Sequence, residues 1–394
     1  MTTFGIGVVG TGDISDVYLT NLRRHGDIVR VVGCAGRDAA KARRKAEQHC
    51  LPRSFADAGE LLDDPDVDIV LDLTTPDAHA DINLAALRAG KHVYSEKPIA
   101  ATFAEARELI AVAAALGLRV GCAPDTFMGG RLQTCRALID QGRLGDIVGA
   151  AAFVVSPGHE WHHPNPGFFY APGGGPILDI APYYVTALLA LLGPVDACAA
   201  LASRAFPVRT VQGGPQRGEA IEVAVDTHVT GILRFASGAL GTLVASFDVW
   251  DSELPRLELW GTRGVLCIPD VDPLSGPNLF GGPILLRDAA QSRWRGVPRR
   301  DPPSAWTEVE IRHPFTSTSH ADNSRGIGLV DMAYAIRDGR SVRASGELAL
   351  HATEVMESLL ASARDGRFVT LTTTCERPAP LPVDYPAGER RVPA

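Results

Sequence analysis

The stretch that decides the fold is FGIGVVGTGDIS, residues 4–15, near the start of the chain. Residues 4–9 are apolar or glycine, which is typical of a strand buried on both faces of a parallel sheet. Gly10 permits a tight turn, and Gly12 lets the backbone come close to a pyrophosphate at the N-terminus of the next helix. Ser15 takes the third small position of this pattern, where glycine or alanine is usual. The stretch predicts a dinucleotide site formed by Gly10, Thr11, Gly12, Asp13 and Ile14, with a plain strand-to-helix turn as the alternative.

Strand and helix patterns alternate from this stretch to about residue 123. Apolar runs at 29–34, 68–73 and 92–95 predict further strands, and the helices between them stop at glycines such as Gly90 and Gly117. Such alternation is typical of a doubly wound parallel sheet, in which ligands bind beyond the carboxyl ends of the strands. We therefore predict a Rossmann dinucleotide-binding domain over residues 1–123.

Strand patterns dominate after residue 123, with glycines at the expected hairpin turns. The predicted strands cover residues 147–155, 222–235, 239–249, 256–260 and 265–268, and the predicted helices cover residues 128–141, 179–192, 327–337 and 347–364. Residues 269–306 are rich in Pro, Gly and Asp, which indicates a long excursion with little regular structure. We predict a second, α/β domain over residues 124–394, with a large, mostly antiparallel open sheet.

The composition is that of a globular protein without a basic face. Hydrophobic residues make up 45% of the chain, charged residues make up 21%, and the net charge is -8. That balance argues against nucleic-acid or anionic-membrane binding, and no apolar run is long enough to span a bilayer. The scattered cysteines include no C-x-x-C pair, which is typical of reduced cytosolic thiols. The N-terminus has no signal-peptide pattern, so we expect a cytoplasmic protein without nucleic-acid or membrane partners.

The end of the second predicted strand should select the dinucleotide. An acidic residue there would hold the ribose 2′-hydroxyl, but this position is Gly36, followed by Arg37 and Asp38. Arg37 can pair with a 2′-phosphate or stack on adenine, or it is simply a solvated loop cation. Asp38 lies two residues after the position where the acidic residue is expected, but its side chain can still reach the ribose. Arg37 favours NADP as the cofactor, and NAD remains the alternative.

The turn Thr74-Thr75-Pro76 follows the third long strand, at the lip of the predicted crevice. Pro76 and Asp77 fit the first turn of a helix, which is their ordinary capping role. Contact with the nicotinamide ribose is the functional interpretation. His79 falls in the same helical turn, where a structural role is favoured over a catalytic one. Thr74, Thr75, Pro76 and His79 are cofactor-binding candidates.

The triplet Glu96-Lys97-Pro98 follows the predicted strand at 92–95. The proline keeps Lys97 out of helical geometry, so the lysine side chain at the strand end is free to enter the crevice. A lysine near a carboxylate can orient a substrate hydroxyl and relay its proton, and Glu96 is placed to fix it. A surface lysine at a helix start is the alternative. Lys97 is a candidate for catalysis and for contact with substrate and cofactor, and Glu96 is a candidate for the cofactor site.

The segment Asp179-Ile180-Ala181-Pro182-Tyr183 opens a predicted helix just after the triple glycine at 173–175. Because Pro182 is tolerated only in a first turn, Asp179 is a candidate N-cap. Asp179 and Tyr183 are four residues apart and would share one helix face. The glycines let the backbone approach a ligand closely. A phenol beside Lys97 is a candidate proton donor or acceptor.

The run His159-Glu160-Trp161-His162-His163 combines three histidines with an indole. A metal site needs further ligands, and the sequence shows no second cluster, so we expect no metal. A polar pocket that takes a sugar by aromatic stacking and hydroxyl hydrogen bonds fits these residues better. We predict His159, Trp161 and His162 as substrate-binding residues, with His163 beside them.

Taken together, these motifs resemble the glucose-fructose oxidoreductase / inositol dehydrogenase / rhizopine-catabolism family (Gfo/Idh/MocA). The resemblance covers nearly the whole chain, and its motifs stand in the family order: Gly10 with Gly12, Pro76 with His79, Ala89-Gly90-Lys91-His92-Val93, Glu96-Lys97-Pro98, and Gly173-Gly174-Gly175 followed by Asp179. It implies a Rossmann domain and an α/β domain whose large open sheet mediates oligomers, here a homodimer or homotetramer. It also implies Lys97 as the catalytic lysine, Asp179 as the second polar member of the site, and carbohydrate or polyol substrates.

The chain departs from the family pattern near that aspartate. Many members carry a histidine four residues after it, where this chain has Tyr183. Tyrosine occurs there in some sugar-oxidising and dihydrodiol-oxidising members, so the resemblance still implies an active site with Tyr183 as the partner of Lys97. The Ala181-Pro182 pair also departs from the commoner glycine-containing turn.

We therefore predict an NAD(P)-dependent dehydrogenase or reductase that transfers a hydride between nicotinamide C4 and a carbinol carbon of a sugar, glycoside or cyclitol. Lys97 would relay the hydroxyl proton. Asn323 and Arg325 are further candidates, because a polar loop precedes a helix there. One alternative is a glycosidase-like enzyme of the same scaffold that uses NAD transiently. Another is a non-enzymatic regulator that binds a dinucleotide and a sugar, which the presence of Lys97 disfavours.

Overall fold

The computed structural model of the chain describes residues 3–269, 277–291, 306–319 and 322–386. Within these residues the strands form a six-stranded sheet, a nine-stranded sheet and a separate two-stranded ribbon. None of the described helices combines the length and the apolar composition needed to cross a bilayer.

The first sheet is entirely parallel and lies between layers of helices. Its elements are β1 (Phe4–Val9), α1 (Ile14–Leu22), β2 (Val29–Ala35), α2 (Ala39–Gln48), β3 (Arg53–Ser54), α3 (Ala58–Leu62), β4 (Ile69–Asp72), α4 (Pro76–Arg88), β5 (His92–Ser95), α5 (Phe103–Leu116) and β6 (Val120–Cys122). The strand order is β3-β2-β1-β4-β5-β6, so the order reverses between β1 and β4. This topology confirms the predicted Rossmann sheet and places a crevice at that switch point.

The second sheet is mixed but mostly antiparallel, as predicted. The elements of this part are α6 (Gly130–Asp140), β7 (Ile147–Val155), α7 (Pro176–Asp179), α8 (Ala181–Leu192), β8 (Val195–Ser203), β9 (Val208–Thr210), β10 (Ala220–Glu222), β11 (His228–Phe235), β12 (Leu240–Ser246), β13 (Leu257–Gly261), β14 (Gly264–Ile268), β15 (Leu285–Asp288), β16 (Thr307–Glu308), α9 (Ile327–Asp338), α10 (Gly346–Asp365) and β17 (Val369–Thr370). Its order is β16-β15-β14-β13-β7-β12-β11-β8-β17, and the β7–β12 pair is parallel.

Two predictions about this part of the chain were wrong in detail, and β8 was not predicted. The strand expected over residues 222–235 is two strands, because the backbone at 223–227 bonds to neighbouring loops, for example from the Ala224 N–H to the Tyr170 carbonyl. β10 pairs with β9 in the separate ribbon, and only β11 joins the large sheet. The sequence analysis also missed β8, because its alanine-rich run lacks the β-branched residues that mark strands. The helix expected over 179–192 breaks at Ile180 into α7 and α8.

The excursion at 269–306 contains more regular structure than expected. Its described residues include β15, which pairs with β14 and extends the large sheet. Cross-strand pairing that closes only in the tertiary structure stabilises this short strand, so local composition did not indicate it. Residues 270–276 and 292–305 of the excursion lie outside the described residues.

The two sheets are joined where the first one ends. After β6 the Ala123 N–H still bonds to the Ser95 carbonyl, and the Cys122 N–H bonds to the Ala344 carbonyl just before α10. The core beneath α8 contains buried residues from both parts of the chain, such as Tyr94 and Val185. This packing holds the carboxyl ends of β1, β4 and β5 against the start of α8.

The glycine turn after β1 gives a stability prediction. Gly10 has φ +105°, and a Cβ added there would lie 2.5 Å from the backbone C and O of Leu73. We expect Gly10→Ala to lower the free energy of unfolding by roughly 1–3 kcal/mol or more, measured by urea denaturation followed by circular dichroism. Gly12→Ala is the matched control, since its added Cβ meets no atom of the described residues within 4 Å, and should cost less than about 0.5 kcal/mol. Equal losses in the two variants would contradict this account of the turn.

Candidate active site

Lys97 lies where the two parts of the chain meet. It follows β5, and the Lys97–Pro98 peptide bond is cis. Its Nζ donates hydrogen bonds to the backbone carbonyl of Asp179 at 2.7 Å and to Asp179 Oδ1 at 2.9 Å. Both side chains stay partly open, at 17% and 20% exposure. The predicted catalytic lysine and aspartate therefore form one ion pair at the carboxyl end of the first sheet.

Asp179 does not cap α8, contrary to expectation. It is the last residue of α7, and the position before α8 is Ile180, which makes no side-chain capping bond. The carboxylate is instead shared, because Oδ2 lies 3.0 Å from His159 Nε2 while Oδ1 faces Lys97. Of the three preceding glycines, Gly174 packs against its own loop, since a Cβ there would lie 2.5 Å from the Phe169 carbonyl oxygen.

The electrostatics of this pair favour its charged form. Burial alone would lower the pKa of Lys97, but the Asp179 carboxylate outweighs that effect and raises the pKa well above its ordinary value. Burial alone would likewise raise the pKa of Asp179, and Lys97 and His159 together hold it well below its ordinary value. Lys97 is thus an ammonium and Asp179 a carboxylate across the neutral range.

Tyr183 lies beside the pair on α8. The Lys97 Nζ lies 5.6 Å from its ring centroid, and its hydroxyl accepts a hydrogen bond of 2.9 Å from Arg325 Nη2. Arg325 also donates to Asn278 Oδ1 at 3.0 Å and pairs with Glu96 Oε1 at 3.4 Å. The phenol predicted from sequence is therefore at the site, and its hydroxyl is oriented by an arginine.

Glu96 supports both halves of this arrangement. Its Oε2 accepts from the Lys97 backbone N–H at 2.9 Å, and its Oε1 accepts from the Tyr18 hydroxyl at 2.9 Å. Glu96 is buried and positions Lys97 and Arg325. The contact with the cofactor that the sequence predicts for Glu96 stays a prediction.

The loop that leads into α9 holds Arg325 in place. Asn323 Oδ1 accepts from the Arg325 N–H at 3.1 Å, so the candidate Asn323 shapes this loop. Asp125 is buried under the same loop, and its Oδ2 accepts from the N–H groups of Gly326 at 2.8 Å and Gly328 at 3.0 Å. Burial raises the pKa of Asp125 to about 6.

His159 is packed into an aromatic cluster. Its ring stacks on Phe169, with centroids 3.8 Å apart and planes at 18°, and meets Phe247 edge-on at 4.8 Å. The ring of His162 lies 5.4 Å away. His163 contacts Phe169 on another side, and its Nδ1 accepts from the Asn165 N–H. Among the described residues, no group of three or more His, Cys, Asp or Glu is arranged to hold a metal ion.

A buried ion network fastens this loop to the large sheet. Arg209 donates to Glu160 Oε1 at 2.5 Å and to Asp248 Oδ1 at 2.5 Å. It also bonds the carbonyls of Pro157 and Phe247, which flank the His159 cluster. The sequence analysis missed Arg209, because no motif surrounds it and its partners lie 49 and 39 residues away.

An exposed indole pair lies next to this cluster. Trp161 is 46% exposed and meets Trp250, which is 66% exposed, edge-on at 5.6 Å. Trp250 follows β12 and was not predicted, since it is remote from Trp161 in sequence. Exposed aromatic rings near a polar site are suited to stacking on a ligand.

The residues of the glycine turn fit a dinucleotide. The backbone turns sharply at Gly10, the space beside Gly12 is open, and α1 begins directly afterwards at Ile14. Ser15 is buried and donates to the Gly12 carbonyl at 2.6 Å, which explains why a hydroxyl is tolerated at the third small position. Thr11 is buried, and the carboxylate of Asp13 is exposed at the helix start.

The remaining cofactor candidates lie along the same edge. Gly36 follows β2 and packs against Thr11. Arg37 is exposed. The hydrogen bond from Thr75 is the largest cause of the lowered pKa of Asp77, and the charge of Arg37 lowers that pKa further. Asp38 caps α2 by accepting from the N–H groups of residues 40 and 41.

The turn at the end of β4 is ordered by a buried carboxylate. Thr74 donates to Asp72 from its N–H and its hydroxyl, and Thr75 and Pro76 begin α4 with both residues exposed. His79 is buried and its ring nitrogens face the carbonyls of Pro98 and Thr74. His79 therefore braces this turn against the Lys97–Pro98 segment, as its structural interpretation predicted.

Comparisons with known proteins agree with this architecture. The model of the oxidoreductase family with an NAD-binding Rossmann fold matches residues 4–123, and the model of the GFO/IDH/MocA C-terminal domain matches residues 132–267. Trans-1,2-dihydrobenzene-1,2-diol dehydrogenase of Bos taurus is 30% identical over 277 residues, which are 69% of this chain and 75% of that protein. The 1,5-anhydro-D-fructose reductase of Ensifer adhaerens is 30% identical over 268 residues, 66% of this chain and 74% of that protein.

A solved structure shares the fold. The NAD binding oxidoreductase from Klebsiella pneumoniae superposes with a TM-score of 0.80 at 22% identity, covering 94% of this chain and 100% of that chain. At this identity the likeness concerns the fold alone.

Asp125 gives a pH-dependent stability prediction. Because the fold raises its pKa from 3.8 to about 6, Asp125 stabilises the fold most below pH 3.8, and this contribution is lost as the pH rises through about 6. We therefore expect Asp125→Asn, which keeps an acceptor for Gly326 and Gly328, to gain stability relative to wild type between pH 4 and pH 7. The difference in the free energy of unfolding between Asp125→Asn and wild type should change by no more than about 1.4 kcal/mol per pH unit, measured by urea denaturation at each pH. Asp125→Ala lacks the acceptor and should be less stable than Asp125→Asn at every pH. If the difference in the free energy of unfolding between wild type and Asp125→Asn does not change with pH, the prediction is refuted.

Proposed function

Since the chain belongs to the Gfo/Idh/MocA family of oxidoreductases with an NAD-binding Rossmann fold, we propose that it transfers a hydride between a nicotinamide dinucleotide and a carbinol carbon of a sugar, glycoside or cyclitol. The observation that carries the proposal is the Lys97–Asp179 pair, which lies partly exposed at the carboxyl end of the Rossmann sheet. Ligands of such sheets bind at this edge, so the pair is where a hydroxyl and a nicotinamide would meet.

The substrate class rests on the relatives and on the lining of the crevice. The relatives at 30% identity are named for a dihydrodiol and an anhydrosugar, both of which carry hydroxyl groups. The polar groups of Lys97, Asp179 and His159 can bind several hydroxyls, and Trp161 can stack on the apolar face of a ring. His162 completes this side as a further substrate contact.

Lys97, Asp179 and Tyr183 have different roles at the reacting carbon. Two of the three protons of the Lys97 ammonium go to Asp179, so the third is left for the substrate oxygen. In reduction the ammonium would give this proton to the forming alkoxide, and in oxidation the resulting amine would take the hydroxyl proton back. Asp179 holds the ammonium in place, and Tyr183, oriented by Arg325, contacts the same substrate. A bound nicotinamide supplies the hydride acceptor or donor.

The dinucleotide would lie along the described edge of the first sheet. The turn from Gly10 to Ile14 would hold the pyrophosphate at the start of α1, and Thr74 to Pro76 would contact the nicotinamide ribose. Gly36 leaves room for the adenosine ribose, and Arg37 would pair with a 2′-phosphate. His79 and Glu96 support this site from beneath, and we propose NADP as the preferred cofactor.

The large sheet suggests how copies of the chain assemble. The second domain, proposed to span 124–394, exposes apolar side chains on one sheet face, including Leu201 at 76%, Leu240 at 61% and Ile232 at 48%. An exposed apolar face of this kind is typical of a protein interface. We propose a homodimer or homotetramer that covers it.

The central test is turnover by the wild type and Lys97→Met. Absorbance of reduced nicotinamide is followed with a panel of pyranosides and cyclitols, each with NAD and with NADP. We expect Lys97→Met to lower kcat by about 100-fold to 10,000-fold, because the substrate hydroxyl loses its hydrogen-bond donor and proton relay. Lys91→Met is the matched control, since Lys91 lies before the other end of β5 and donates to the Asp64 carbonyl. A Lys97→Met variant as active as Lys91→Met would rule out the proposed role, and release of an aglycone without net reduction would favour the glycosidase-like reaction.

Cofactor choice is tested at Arg37. We expect the wild type to bind NADPH more tightly than NADH in a fluorescence titration. Arg37→Ala should weaken NADPH binding by roughly tenfold or more and leave NADH binding unchanged, because only the 2′-phosphate loses a partner. Arg43→Ala removes another exposed arginine, on α2, and should change neither affinity. Equal losses for both dinucleotides, or tighter NADH binding by the wild type, would refute the NADP preference.

A further inference from the structure

Two exposed indoles lie on chain segments that both lead away from the His159 cluster. Trp161 follows His159 by two residues, and Trp250 follows Phe247, whose ring meets that of His159 at 4.8 Å, by three. Because an extended chain spans at most about 3.6 Å per residue, the backbone of each indole lies within about 11 Å of His159 or Phe247. His159 in turn contacts Asp179 of the candidate active site. The indole pair is therefore placed at the rim of that site.

The indoles belong to a contiguous aromatic patch. Trp161 and Trp250 are 46% and 66% exposed and contact each other. Phe168 is 54% exposed and packs on Phe169 at 3.9 Å, and Phe169 stacks on His159. Single exposed apolar side chains are common on protein surfaces, whereas a contiguous exposed patch rimmed by polar groups marks an interaction site. This patch borders the polar groups of the crevice.

One buried arginine holds both segments that carry the indoles. Arg209 bonds to the side chain of Glu160, which precedes Trp161, and to the side chain of Asp248, two residues before Trp250. Both ion pairs are buried. Because the two segments are fastened to the same guanidinium, the indoles have a fixed mutual arrangement before any ligand binds. Such preorganisation lowers the entropic cost of binding.

The angle between the indoles limits what can stack on both of them. Their planes meet at 76°, with ring centroids 5.6 Å apart. A ring that lies flat on Trp161 is therefore steeply inclined to Trp250, so one ring cannot stack on both faces. A ligand that uses both faces must carry two rings joined at an angle, as two sugar rings are joined at a glycosidic bond.

The charge beside Trp250 restricts the second ring further. Asp251 and Glu253 follow Trp250 and are exposed, and neither forms an ion pair with another of the described residues. Their carboxylates repel an anionic ligand and accept hydrogen bonds from hydroxyl groups. A neutral ring that combines hydroxyl groups with an apolar face fits this surface.

We propose that Trp161 and Trp250 form a two-ring subsite, so that the substrate is a neutral glycoside with a second sugar ring rather than a free monosaccharide or cyclitol. The ring that carries the reacting carbinol stacks on Trp161, which is the indole nearer to His159 along the chain. The second ring stacks on Trp250. This inference rests on the proposed oxidoreductase function and narrows its substrate class.

The first test measures binding without turnover. Calorimetric titrations compare methyl pyranosides with the methyl glycosides of the corresponding disaccharides, in the presence of NADPH or NADH, neither of which can accept a hydride from an alcohol. We expect at least one disaccharide to bind about tenfold more tightly than its one-ring counterpart, because a second ring is stacked. The same disaccharide with a uronic acid as its second ring should lose this advantage.

The second test locates the second ring. Trp250→Ala should remove the advantage of the disaccharide and leave the affinity for the one-ring ligand within twofold, whereas Trp250→Phe keeps an aromatic face and should retain most of the advantage. Trp161→Ala should weaken both ligands. Phe368→Ala is the matched control, since Phe368 is 67% exposed and directly precedes β17, three strands away from β12 in the large sheet. It should change neither affinity.

The outcomes are distinct. The inference is overturned if no disaccharide in the panel binds more tightly than its one-ring counterpart, or if the advantage survives Trp250→Ala. It is also overturned if Trp250→Ala leaves disaccharide binding unchanged but alters the size of the protein in gel filtration, because the patch would then be an interface between copies of the chain. If disaccharides bind as expected and none of them reduces NAD or NADP, the proposed oxidoreductase function fails and the two-ring subsite stands.

Discussion

The ion pair between Lys97 and Asp179 is the contact on which the rest of the site depends. It joins residues that are 82 positions apart, one just after β5 of the first sheet and the other at the end of α7. Removing two charges from water is costly, and this pair offsets the cost with two hydrogen bonds and with partial exposure to the crevice. Because a buried charge without its partner is strongly unfavourable, the start of α8 is kept against the end of β5. The crevice therefore has a fixed width at the point where chemistry is expected.

A second layer of charges beneath the pair defines its orientation. Glu96 accepts from the Lys97 backbone N–H on one side and meets Arg325 on the other. Burial alone would lower the pKa of Arg325, but Tyr183 and Glu96 outweigh it and raise the pKa, so the guanidinium stays charged. Asp125 holds the backbone just after Arg325. Groups from α1, β5, α8 and the loop before α9 thus meet under one lysine, which explains why a polar centre remains ordered inside the fold.

The loop from β7 toward α7 supplies a second side of the crevice, next to Asp179. Arg209 fastens it through two buried ion pairs, so the side chains it presents are held rather than mobile. Functional residues are often placed on loops above a rigid scaffold, and here the scaffold is the large sheet.

Local sequence determined the elements that follow a simple period and the motifs within them. The glycine turn, the parallel strands at 69–72 and 92–95, Lys97 at a strand end and the mostly antiparallel second sheet all follow from short-range patterns. Local sequence also indicated the residues Asp179, Tyr183 and His159, with helix capping as the ordinary alternative for Asp179. Only the tertiary structure decided that the Asp179 carboxylate is shared by Lys97 and His159, that Arg325 orients Tyr183, and that Arg209 and Trp250 belong to the site. The physical reason is that periodicity reports which face of one element is buried, whereas these contacts join side chains from separate elements, and no local pattern records which partner will neutralise a buried charge.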